Sequence, residues 1–119
     1  MAALLFYLLL LTLVTHWPHW EGIPSPPRFE FWDKVVHFTA YAILAYLVSW
    51  RWAPDTSERW GSWGIWAALA IISWGVFDEL TQPYFNRTCD PYDLLADALG
   101  TCTGLAIYQV RHIGTGEKT

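Results

Sequence analysis

Apolar residues in this chain come in long runs rather than in narrow stripes. Ala2–Val14 is almost purely aliphatic and aromatic, and neither Val35–Trp50 nor Trp60–Phe77 carries an acidic or basic charge except Arg and His at their margins or faces. A further apolar stretch follows Pro91. Segments that are hydrophobic on nearly every side have no face left for water, which is the pattern of membrane-spanning helices. Helices are expected at about 2–20, 33–53, 60–82 and 91–110, followed by a polar tail over 111–119 that contains Gly114 and Gly116 and should fray.

Prolines and charges mark the boundaries. Pro24, Pro26 and Pro27 keep the stretch 21–31 extended, and Pro54 sits in a mixed-charge turn between Arg51 and Arg59. Asp33-Lys34 opens the second helix, and Pro83 stands where the third should stop. Asp90-Pro91 reads as an N-cap followed by proline at the first helical position. The first apolar run has neither the charged start nor the small-residue cleavage site of a signal peptide, so it reads as the first span. The expected fold class is all-α, a four-helix transmembrane bundle forming one domain over 1–110.

Composition strengthens that picture. With 54% hydrophobic and 15% charged residues, a water-soluble bundle would have too little polar surface. Nine Trp are present, and Trp17, Trp20, Trp32, Trp50, Trp52, Trp60 and Trp63 sit beside the ends of apolar runs, as an interfacial aromatic belt requires. A net charge of -4 with no basic patch excludes a nucleic-acid partner on electrostatic grounds. Cys89 and Cys102, if on one helix, stand roughly 20 Å apart, which rules out a disulfide or a shared metal. Arg51, Arg59, Arg111 and Lys118 on the terminal side outnumber Arg28, Lys34 and Arg87 on the other, favouring cytoplasmic termini and an outward-facing polar site.

The polar residues then become informative. With successive spans alternating in direction, the start of helix two, the end of helix three and the start of helix four lie at one membrane face. Helix two contributes Asp33, Lys34, His37 and Tyr41, helix three Asp78, Glu79 and Gln82, and the last loop and helix four Arg87, Asp90, Asp93 and Asp97. Asp33 and Asp90 fit as N-caps, Asp93 as a first-turn acid, Lys34 as a snorkelling residue and Tyr41 as a buried aromatic with one hydrogen bond. Glu79 and Asp97 lie deeper than any cap, where carboxylates are costly and are kept for pairing or for chemistry. Ala96, Gly100 and Gly104 form a close-packing face.

Asp33-Lys34-x-x-His37-Phe38-x-x-Tyr41, Asp78-Glu79-x-x-Gln82, Arg87, and Asp93-x-x-x-Asp97-x-x-Gly100-x-x-x-Gly104 occur in this order. Over about Asp33–Gly104 the chain resembles the VanZ-like family of small membrane proteins. Two departures stand out: Asp97 where the family often has Asn, and Phe85-Asn86 where it often has Pro-Gly before the Arg. The resemblance implies a multi-pass protein of the bacterial inner membrane and, through the family's named member, a link to low-level teicoplanin resistance. It does not imply a mechanism.

Two functional readings remain open beside a purely structural network pinning three helices. In one, an accessory envelope protein binds the headgroup of a membrane lipid or lipid-linked wall precursor, with Lys34 and Arg87 on its phosphate. In the other, an intramembrane enzyme acts on a phospholipid or lipid-linked substrate, with His37 as base or nucleophile, Glu79 orienting it or serving as acid, and Arg87 stabilising negative charge. No metal signature is present; an oxygen-ligand variant has Glu79, Asp93 and Asp97 holding Mg²⁺ or Ca²⁺. Known lipid phosphatase, His-Glu-x-x-His and Gly-x-Ser-x-Gly motifs are absent from the sequence.

Overall fold

A computed structural model describes residues 1–15, 32–54, 57–85 and 89–112. Among these the chain is all-helical: α1 Ala2–Thr15, α2 Trp32–Trp52, α3 Ser57–Thr81 and α4 Pro91–His112. A single 3-10 turn, Gln82–Phe85, follows α3. The expected stop at Pro83 is therefore softened, because α3 ends at Thr81 and the tighter turn absorbs the proline. The expected first helix to residue 20 is described only as far as Thr15. Helix α2 starts at Trp32, so Asp33 lies inside its first turn rather than at the cap.

Helix α4 begins as its sequence demands. The Tyr92 amide donates to Asp90 Oδ1 at 2.9 Å, and Pro91 occupies the first helical position. Helices α2 and α4 form the most extensive pairing, with α4 also packed against α3 and α1 leaning on α2. The α2–α4 seam is close because it is built from glycine. A Cβ on Gly100 would fall on the Phe38 carbonyl, and one on Gly104 would fall on that of Ala42. The pairing of 38 with 100 and 42 with 104 makes the two helices parallel, so both begin at the same end. Tyr7 of α1 donates its hydroxyl to the Ala40 carbonyl at 2.5 Å.

The interior is the reverse of a soluble bundle's. His37, Ser49, Asp78, Glu79, Gln82, Asp93, Asp97 and Thr101 are buried, whereas Phe6, Leu9, Ile65, Trp66, Leu95 and Val110 are exposed. Buried hydroxyls turn back on their own helices, with Ser49 bonded to the Ala45 carbonyl and Thr101 to that of Asp97. An apolar layer of Leu4, Leu11, Leu44, Ala45, Ile71 and Leu105 surrounds Tyr41. Among the described residues the stretch Gly61–Phe85 is long and apolar enough to cross a membrane, and Ala2–Val14 is a shorter apolar helix. Helices α2 and α4, with 21 and 22 residues, match a bilayer in length at about 1.5 Å per residue but not in apolarity. Four spans therefore do not follow from the helices alone.

Candidate functional site

The start of α2, the end of α3 and the start of α4 meet at one end of the molecule. Lys34 is held between two carboxylates at the start of α4, the capping Asp90 with Oδ2 at 2.5 Å and Asp93 with Oδ1 at 2.9 Å. Lys34 thus pairs with α4 instead of snorkelling free. Asp90 caps α4 and binds Lys34 at once, and the Lys34 ammonium holds its carboxyl below the usual carboxylate range.

One turn deeper lies His37. Its Nδ1 is 2.8 Å from Asp97 Oδ1 and 3.9 Å from Glu79 Oε1, and its Nε2 faces Asp93 Oδ2 at 3.8 Å. Asp97, not Glu79, is the carboxylate within hydrogen-bond distance of the imidazole. Glu79 instead fastens the chain entering α4, since its Oε2 accepts the Asp90 amide at 3.1 Å. Asp93 does more than complete a first turn: it joins the surface Lys34 to the buried imidazole.

Among the described residues, several buried polar atoms have no hydrogen-bond partner: the Tyr41 hydroxyl, Glu79 Oε1, Asp97 Oδ2 and both amide atoms of Gln82. Asp93 Oδ1 is engaged instead by the Lys34 ammonium, an ion pair at 2.9 Å. The one hydrogen bond expected of Tyr41 is not made among the described residues, although the residue is fully buried. Asp78 is buried beside this group and is engaged. Arg87 lies outside the described residues, as does the side chain of Asp33, so their expected places at the site are not described.

The sequence reading missed Gly75. This α3 position gives up its side chain to make room for Asp97: a Cβ there would stand 3.1 Å from Asp97 Oδ2 and 3.4 Å from the Tyr41 ring. A lone glycine in an apolar helix carries no signal of that role. Also missed was an open groove of about 690 Å³ beside the ion pair, lined by Lys34, Val35, Phe38, Asp90, Tyr92, Leu95, Ala96 and Leu99. Its apolar wall of Val35, Phe38, Tyr92, Leu95 and Leu99 is interleaved in sequence with the polar and small positions, so no run of residues announces a groove.

The described helices form an all-helical protein with charged groups inside, apolar groups outside, a polar cluster at one end and one stretch long and apolar enough to cross a membrane, the pattern of a small membrane-associated helical protein. The VanZ/LLP1 family pattern matches residues 3–112, nearly the whole chain, and the protein belongs to that family. The match extends the resemblance seen over Asp33–Gly104 to α1 and the end of α4. No curated protein and no solved structure matches the chain.

Proposed function

We propose that this protein is a multi-pass inner-membrane protein that holds the phosphate-bearing headgroup of a membrane lipid or lipid-linked wall precursor. Its polar end faces outward and its termini are cytoplasmic. The observation that carries the reading is the groove between the first turns of α2 and α4. Lys34 and Asp90 lie where both helices begin, and Phe38, Leu95 and Leu99 continue along the same groove for roughly two to three helical turns. That ordering of charge and apolar wall matches one end of an amphiphile. Lys34 has three donors and spends two on Asp90 and Asp93, which leaves one for a phosphate oxygen. The resistance link of the family's named member fits a protein that acts on such precursors.

The test is lipid retention by the full-length chain purified in mild detergent, followed by mass spectrometry. Wild type should carry phosphate-bearing lipid, and Leu99→Trp, which fills the groove from an exposed position, should lose it while folding normally. Unchanged retention in Leu99→Trp would remove the groove from the proposal. A second reading, chemistry on the same lipid, is favoured by the His37–Asp97 pair, which has the geometry of a base and its orienting carboxylate. It requires a product that appears with wild type and disappears with His37→Asn at equal protein abundance.

A further inference from the structure

Among the described residues, the buried cluster holds more carboxylate than its single imidazole can neutralise, and one of the unpartnered oxygens faces that imidazole. Glu79 Oε1 lies 3.9 Å from His37 Nδ1 and has no hydrogen-bond partner. Asp97 offers Oδ1 to the same nitrogen at 2.8 Å while its Oδ2 is unpartnered. His37, Glu79 and Asp97 are 3%, 2% and 0% exposed, so water does not screen them. Uncompensated carboxylates in such surroundings are strongly unfavourable. Lys34 does not supply the missing positive charge, because it is already paired with Asp90 and Asp93.

We infer that His37 Nδ1, Glu79 and Asp97 bind a divalent first-row transition cation of the Zn²⁺ or Mn²⁺ kind. One donor atom from each residue lies within 4.8 Å of the others. A neutral imidazole with two carboxylates balances a dication, which removes the charge surplus. Metal–ligand bonds of about 2.0–2.1 Å in a tetrahedral arrangement place donor atoms about 3.4 Å apart. The observed separations from Nδ1, 2.8 and 3.9 Å, fall on either side of that value. The nitrogen donor distinguishes this set from the Glu79, Asp93 and Asp97 combination that oxygen-loving Mg²⁺ or Ca²⁺ would use. Behind the cluster, Nε2 faces Asp93 Oδ2 at 3.8 Å, and Asp93 is fixed by Lys34. A carboxylate on that side of a ligating histidine is the usual device for setting its tautomer and direction, and Asp93 would take that role on closing from 3.8 Å to hydrogen-bond distance. Three protein donors leave at least one position for water or for a ligand oxygen.

The inference stands apart from lipid binding and is tested without lipid. The full-length chain, purified in detergent and stripped with a chelator, is titrated with Zn²⁺ and with Mn²⁺, and bound metal is measured after desalting. Wild type should retain about one equivalent, His37→Ala and Glu79→Gln should bind at least about tenfold more weakly, and Asp93→Asn should weaken binding by roughly ten- to hundredfold. Cys89→Ser with Cys102→Ser, and His16→Ala, His19→Ala and His112→Ala, should leave uptake unchanged. Pulsed electron paramagnetic resonance of Mn²⁺-loaded wild type should show coupling to a histidine nitrogen, a readout that requires no variant to fold. No retained metal in folded wild type, no nitrogen coupling, or full uptake by His37→Ala would each overturn the inference.

Discussion

Replacing Gly100 with alanine tests how packing sets up the site. The new Cβ would fall on the Phe38 carbonyl and stand 3.0 Å from its carbon and 3.1 Å from its Cα. Ordinary carbon–carbon contact needs about 3.5–4.0 Å. All the atoms met are backbone, so no side chain can rotate away, and α2 must move from α4 by about 0.5–1 Å. Overpacking of this kind costs roughly 1–3 kcal/mol. The same shift would stretch the 2.8 Å His37–Asp97 hydrogen bond beyond about 3.2 Å, where it weakens sharply. Gly61 provides the control, since a Cβ there meets nothing within 4 Å. Gly61→Ala should be neutral or stabilising by up to about 1 kcal/mol through helix propensity. Thermal unfolding in detergent, read by size-exclusion and far-UV circular dichroism, compares the pair. If Gly100→Ala is as stable as Gly61→Ala, α2 and α4 are not in the close register described above.

Asp90→Ala removes both a helix cap and a partner of Lys34. A loss of about 1–2 kcal/mol in thermal unfolding is expected, most of it from the cap because the ion pair is partly solvated. Asp90 has a lowered pKa in the folded protein, so its contribution is present above the ordinary aspartate range and is lost as pH falls through the lowered value; acid titration of wild type against Asp90→Ala should show the two curves converging only at the acid end. Glu79→Gln keeps an oxygen for the Asp90 amide and should retain membrane abundance, whereas Glu79→Ala should lose it; lost glycopeptide phenotype with normal abundance in Glu79→Gln favours a site over a structural network. Cys89 should react with a membrane-impermeant thiol reagent from outside the cell, slowly because its thiol is pushed up by burial and by Glu79, while Cys102, exposed on the flank of α4, should be shielded by lipid. Labelling of Cys89 only after lysis would reverse the orientation.

Most of the fold is legible because hydrophobic runs and breakers act locally. Asp90-Pro91 fixes the start of α4 through one side-chain oxygen and one missing amide, and both effects can be read from two letters. The end of α3 is harder, because proline forbids an α-helical hydrogen bond but not a tighter turn, and the turn that forms buries Gln82. The parallel seam of α2 and α4 follows from alternation of direction, yet its closeness does not. Gly100 and Gly104 announce a contact face without naming the partner, and only the fold shows that the partners are the carbonyls of Phe38 and Ala42.

The site divides along the same physical line. Burial of His37, Glu79 and Asp97 could be anticipated, since acids far from a cap inside apolar helices have nowhere else to go. Which acid meets the imidazole could not, because that depends on rotation of three helices by less than a side-chain width. Gly75 decides it: the space left by its missing Cβ admits Asp97 toward α3 and so brings Oδ1 to His37. Glu79, on α3 itself, reaches past toward the Asp90 amide and leaves one oxygen turned to the imidazole. A purely structural network would be expected to spend its hydrogen bonds on closing itself. Among the described residues this one leaves Tyr41, Gln82, Glu79 and Asp97 with unused polar atoms, and those are the atoms that the proposed cation site and its surroundings would use.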